Sequence, residues 1–111
     1  MDDTKLNKEI AKAFGWRVAW PNPNVTYITG KHGPFDPCND WNDMREVVDK
    51  MREQGFLVSI IDKVDYHNDY LGYGVSFTHK EIGKGYGYTE DEKAGRAVVK
   101  AALKAKGVDV Q

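Results

Sequence analysis

Leu6, Ile10 and Phe14 recur at four-residue spacing, which predicts a helix over Thr4 to Phe14 with one apolar face. Asp2 and Asp3 suit its positive end, Asp3 or Thr4 can cap it, and Gly15 stops it. Alternation then takes over: Trp16-Arg17-Val18-Ala19-Trp20 reads as a short strand with Trp16, Val18 and Trp20 on one side. Pro21-Asn22-Pro23-Asn24 breaks it, and Val25 to Thr29 is a candidate second strand, followed by turn signals at Gly30, Gly33, Pro34 and Pro37. An irregular stretch as long as 21–38 in a small domain points to function or mobility.

A second helix begins at Asn39 or Asp40, carries the stripe Trp41, Met44, Val47, Val48 and Met51, and ends at Gly55. Phe56-Leu57-Val58-Ser59-Ile60-Ile61 is apolar on both faces, so it is expected in the middle of a covered sheet. A polar loop, Asp62 to Asp69, leads to Tyr73–His79, where large and small residues alternate. A turn at Lys80 to Gly83 returns the chain to Gly85-Tyr86-Gly87-Tyr88. Thr89-Glu90-Asp91-Glu92 has the spacing of a capping box, which starts the last helix near Glu90 and runs it to Lys106, with Gly107 as the stop. Short connections favour antiparallel pairing of neighbouring strands. The fold class expected is α+β: one domain over 1–111, with an antiparallel sheet of three to five strands covered by helices in a layered α/β/α sandwich.

Composition narrows the function. Sixteen Lys+Arg oppose 17 Asp+Glu, giving a net charge of −1, and neither half of the chain is strongly basic. That leaves no electrostatic footprint for duplex nucleic acid. The single cysteine, Cys38, excludes an intramolecular disulfide and fits a reducing compartment. Met1-Asp2-Asp3-Thr4 lacks a basic start and no long apolar run follows, so neither a signal peptide nor a membrane span is expected.

Asp40-Trp41-Asn42-Asp43-Met44-Arg45-Glu46-Val47-Val48-Asp49-Lys50-Met51, with Gly83-Lys84-Gly85-Tyr86-Gly87-Tyr88, the alanine-rich run Ala97 to Ala105 and Leu6 to Trp16, resembles the phage ABA sandwich family. The resemblance spans most of the chain apart from 21–38. It implies a layered helix–sheet fold and a phage or prophage origin, and it brings no established activity; action in the host cytoplasm is the expectation that goes with that origin. The order helix–strand–strand–strand–helix from Asp40 also resembles a double-stranded-RNA-binding domain. That family grips phosphates with lysines at the start of its last helix. The matching positions here are Asp91, Glu92 and Gly95, two of them acidic, so binding of duplex RNA is not expected.

Little in the chain suggests catalysis. Ser59 and Ser76 fall inside predicted strands, and Cys38 has no evident base. His32, His67, His79 and Cys38 lack zinc spacing, and Asp62, Asp65 and Asp69 lack the Ca²⁺-loop pattern, so neither a metal nor another cofactor is expected. Gly83 to Gly87 before a helix invites a phosphate-loop reading, set against close packing of a helix on a glycine-bearing strand. Lys93, Arg96, Lys100 and Lys104 share about 80° of helix arc, either a solvated face or an anion-facing stripe.

The expectation is therefore a non-catalytic binding protein. One version is an anti-defence sponge that sequesters a nucleotide-type signal. The other is an inhibitor or takeover factor directed at a host protein. For the sponge, Trp20, Tyr27, Tyr66 and Tyr70 would stack a base, and Lys31, His32, Lys84 and Arg96 would hold phosphate. A homo-oligomer would close such a site against water, although no heptad pattern signals one.

Overall fold

The computed structural model describes residues 1–19, 24–31 and 33–110. Its elements are α1 (Asp3–Ala13), α2 (Trp41–Glu53), β1 (Phe56–Val64), β2 (Tyr70–His79), β3 (Tyr86–Asp91) and α3 (Ala94–Ala105). The α+β class and the antiparallel sheet are as expected. The sheet has three strands in the order β1-β2-β3.

Asp2, one position earlier than expected, caps α1 by accepting a hydrogen bond from Lys5 N at 2.8 Å. Leu6 and Ile10 are fully buried, and Phe14 meets Trp16 edge-on. The two short predicted strands form only an isolated antiparallel bridge, Val18 with Ile28, which does not join the sheet. The chain then turns inward: Phe35, Pro37 and Cys38 are buried, so the second half of the irregular stretch is core. Gly95 makes room for it, since a Cβ there would lie 2.3 Å from Pro37 O.

Asp40 caps α2 through the amides of Asn42 and Asp43. Met44, Val47, Val48 and Met51 form its buried stripe. Trp41 does not belong to that stripe. As the first residue of the helix it stands at the rim of a cleft, 65% exposed.

The cover of the sheet differs from expectation. The helices gather on one side: α2 lies on β1, α3 lies on β2 and β3, and α1 rests on α3. Phe56, Val75 and Phe77 point into that core. β1 is an edge strand, and Leu57, Ile60 and Ile61 are 63%, 43% and 50% exposed. Its two apolar faces suited a covered interior strand, but among the described residues α2 and α3 cover the sheet on one side only and no fourth strand flanks it. β1 also runs on to Val64, so the polar loop shrinks to a turn at 65–69.

The capping-box reading of Thr89–Glu92 is corrected. Thr89, Glu90 and Asp91 pair with Val75, Gly74 and Tyr73 of β2, and ladder pairing keeps them extended. Thr89 is buried and its hydroxyl donates to Ala97 O at 2.7 Å. α3 starts only at Ala94, with Lys93 in the cap position and no side-chain cap. Close packing at the glycines does occur: a Cβ on Gly87 would lie 2.3 Å from Ala101 O, so α3 crosses β3 on bare backbone. No helix among the described residues is long and apolar enough to cross a membrane.

Candidate functional site

Strand alternation sends successive side chains of the sheet to opposite faces. On the side away from the helices, cross-strand register builds three rows: Leu57–Thr78–Tyr86, Ser59–Ser76–Tyr88 and Ile61–Gly74–Glu90. The central strand contributes only Gly, Ser and Thr to these rows. The face is therefore a shallow trough between an aliphatic ridge on β1 and a tyrosine ridge on β3. Tyr86 is 61% and Tyr88 36% exposed.

One end of the trough is polar. Tyr88 lies across Gly74, where a Cβ would come 2.8 Å from its hydroxyl. That hydroxyl donates to Glu90 Oε1 at 2.9 Å, and Lys63 Nζ reaches the same oxygen at 2.9 Å. The clasp thus joins β1 to β3 across the middle strand. Hydrogen bonding from Lys63, and then from Tyr88, holds the Glu90 carboxyl below its ordinary range. The same contact with Glu90 raises Lys63 and Tyr88.

Beyond the clasp the β1–β2 hairpin ends in a turn organised by Asp65. Its carboxylate accepts from His67 N at 2.8 Å and Asp69 N at 3.0 Å. That carboxylate is engaged by backbone, and among the described residues no His/Cys/Asp/Glu group is arranged to hold a metal ion. Tyr66, 91% exposed, lies against His67, with ring centroids 4.0 Å apart. Tyr70 meets Tyr73 edge-on at 5.7 Å, and desolvation together with Tyr73 pushes the Tyr70 phenol up to about 12.

The phosphate-binding set does not converge on one cavity. Trp20 and His32 lie outside the described residues. Tyr27 and Lys31 share a cleft beside the Val18–Ile28 bridge. Lys31 is ion-paired with Glu46 and lies over the rings of Trp16 and Phe35 at 5.5 and 5.7 Å. Lys84 pairs with Glu81 at 2.9 Å. Its glycine turn sits at the wrong end of α3 for an anion: a Cβ on Gly85 would lie 2.6 Å from Ala105 O, among the helix's terminal carbonyls. Arg96 is bound to Asp3, to Asp91 at 3.1 Å and to Met1 O at 3.1 Å.

The basic stripe is likewise engaged within the fold. Lys93 reaches Asp3 at 2.8 Å and Lys100 reaches Asp91 at 3.1 Å, while Lys104 reaches Tyr88 O at 3.4 Å. Sequence periodicity identified the stripe but carried no information about the carboxylates that face it.

A separate cleft of about 270 Å³ opens between the starts of α2 and α3, lined by Cys38, Trp41, Met44, Tyr73 and Lys93 among others. Cys38 is buried there. Desolvation, reinforced by the Asp3 charge, pushes its pKa up to about 12. His79 is also engaged: Nδ1 accepts from Glu81 N at 3.0 Å and Nε2 faces Gln54 O at 3.1 Å.

Sequence reasoning placed Tyr86 and Tyr88 on a strand but assigned them no role. The alternation of glycine and tyrosine in 85–88 was the available signal, since glycine on the helix side leaves both rings on the other. No protein-family model, curated protein or solved structure matches the chain.

Proposed function

We propose that the protein acts by binding and not by catalysis, and that its working surface is the uncovered face of the sheet. The partner is a protein presenting an apolar patch. With the phage or prophage origin that the resemblance implies, it would be a host protein in the host cytoplasm, occupied by an inhibitor or takeover factor. One observation carries this reading: Leu57, Ile61, Tyr86 and Tyr88 stand exposed together around a trough of small residues. Rigid aromatic and aliphatic ridges beside a groove are what an interface core uses, and contiguous apolar exposure of this kind marks interaction sites.

The nucleotide-sponge reading draws less support. Lys31, Lys84 and Arg96 are each satisfied by a carboxylate, so a phosphate would have to displace an existing ion pair.

The test is affinity capture from infected host cells with the wild-type chain and with Tyr86→Ala combined with Thr78→Arg. Both positions are solvent-exposed and neither lies in β1. A stoichiometric host protein held by the wild type and lost from the variant is the expected result. Equal retention by both would defeat the proposal. A nucleotide released on heat-denaturing the purified protein would return the sponge to the lead.

A further inference from the structure

The two edges of the sheet are treated differently. At β3 the carbonyls of Tyr88 and Glu90 are met by Lys104 and Lys100 Nζ, each at 3.4 Å, so lysines of α3 blunt that edge. Along 57–61 of β1, no side chain among the described residues caps an amide or carbonyl. The stretch holds no charge and no proline, and its only irregularity falls later, between Lys63 and Val64. An uncapped, apolar, regular edge is a template for another strand.

We propose that the occupant is β1 of a second copy, paired antiparallel about Ser59. A two-fold axis normal to the sheet keeps facing residues on the same side, so it must pass through a residue position. Centred on Ser59, it sets Leu57 against Ile61 of the second copy and Val58 against Ile60, aliphatic against aliphatic on both faces. In this register Asp62 and Lys63 fall outside the aliphatic pairs, opposite Phe56 and Gly55. A shift of the axis to Ile60 puts Asp62 and Lys63 opposite Val58 and Leu57. A shift to Ile61 puts Asp62 opposite Ile60, and a shift to Asp62 or Lys63 sets each charge against its own copy.

The pairing makes β1 an interior strand of a six-stranded sheet and gives the free edge of its backbone a partner. The open face stays uncovered and becomes continuous across both copies, so this inference stands apart from the host-partner reading. Strand pairing of this length buries under about 1,200 Å² in total, the small end of specific interfaces, so association is expected in the micromolar range.

Sedimentation equilibrium of the full chain should show the mass rising from 12.6 kDa toward twice that value. Ile60→Lys, at an exposed edge position away from the open face, should raise the dissociation constant by about tenfold or more. Ser59→Cys should give a disulfide-linked dimer on mild oxidation, because directly opposed strand residues stand about 4.5–5.5 Å apart at Cα, within disulfide reach. Ile61→Cys should cross-link far more slowly. A chain that stays monomeric up to about 1 mM, a dimer indifferent to Ile60→Lys, or faster cross-linking at Ile61 than at Ser59 would each overturn the proposal.

Discussion

The Asp3 carboxylate at the start of α1 is bound by the Arg96 guanidinium at the start of α3, 93 positions along the chain. Lys93 reaches the same carboxylate, and Arg96 and Lys100 share Asp91 on the other side. The row of cations is a seam that fastens α3 to α1 and β3.

That seam predicts acid sensitivity. Desolvation opposes ionisation of Asp3, but hydrogen bonds from Lys93, Arg96 and Asn39 outweigh it and lower its pKa from 3.8 to about 2. Asp91 is lowered too, where burial is outweighed by the Lys93 amide, Lys100 and Arg96. A carboxyl depressed in the folded state stabilises fully above its unfolded pKa and loses that contribution as pH falls through its folded one. Stability should therefore decline from about pH 4 toward pH 2. Asp3→Asn should cost about 1–2 kcal/mol at neutral pH and flatten that decline, as read by urea unfolding across pH. An unchanged slope in the variant would contradict the assignment.

Gly87→Ala tests the crossing of α3 over β3. The added methyl would meet Ala101 O and Ala105 N at 2.3 and 2.5 Å, both backbone atoms that cannot rotate aside. A loss of about 1–3 kcal/mol is expected in thermal or urea unfolding, and Thr78→Ala on the open face should stay within about 0.5 kcal/mol.

Cys38 should be silent until the chain opens. With the residue 2% exposed and its thiol pKa pushed up to about 12, alkylation at pH 8 should be slow in native protein and fast in denaturant. Rates measured along a urea series should follow global unfolding. Prompt modification of native protein would refute this burial.

Asp65→Ala removes the acceptor of two backbone hydrogen bonds in the hairpin turn. The expected cost is about 1 kcal/mol. Amide exchange should quicken around 64–70 and remain unchanged in the ladder between β2 and β3.

Much of this molecule was legible in its residues. Leu6 and Ile10 at helical spacing, Met44 to Met51 on one stripe, and the glycines facing α3 are local patterns whose outcome depends on a few neighbouring positions. So the helices, the β1–β2–β3 meander and the α+β class follow from periodicity. The boundaries that went astray lie where a distant partner won. Thr89 has the chemistry of a helix cap, but pairing with Val75 keeps it in a strand, and α3 begins at Ala94.

Tertiary structure alone decided which charges and rings are available. Periodicity puts Lys93, Arg96, Lys100 and Lys104 on one stripe, but it cannot reveal that Asp3 and Asp91 face the first three, because those contacts close only when α1 and β3 dock on α3. The apolar character of Phe56–Ile61 calls for cover on both faces, yet whether cover exists depends on how many layers the chain can fold. With all three helices on one side, Leu57 and Ile61 are left in the open beside Tyr86 and Tyr88. Burial of a strand is set by what packs around it, and a one-dimensional pattern states only the demand.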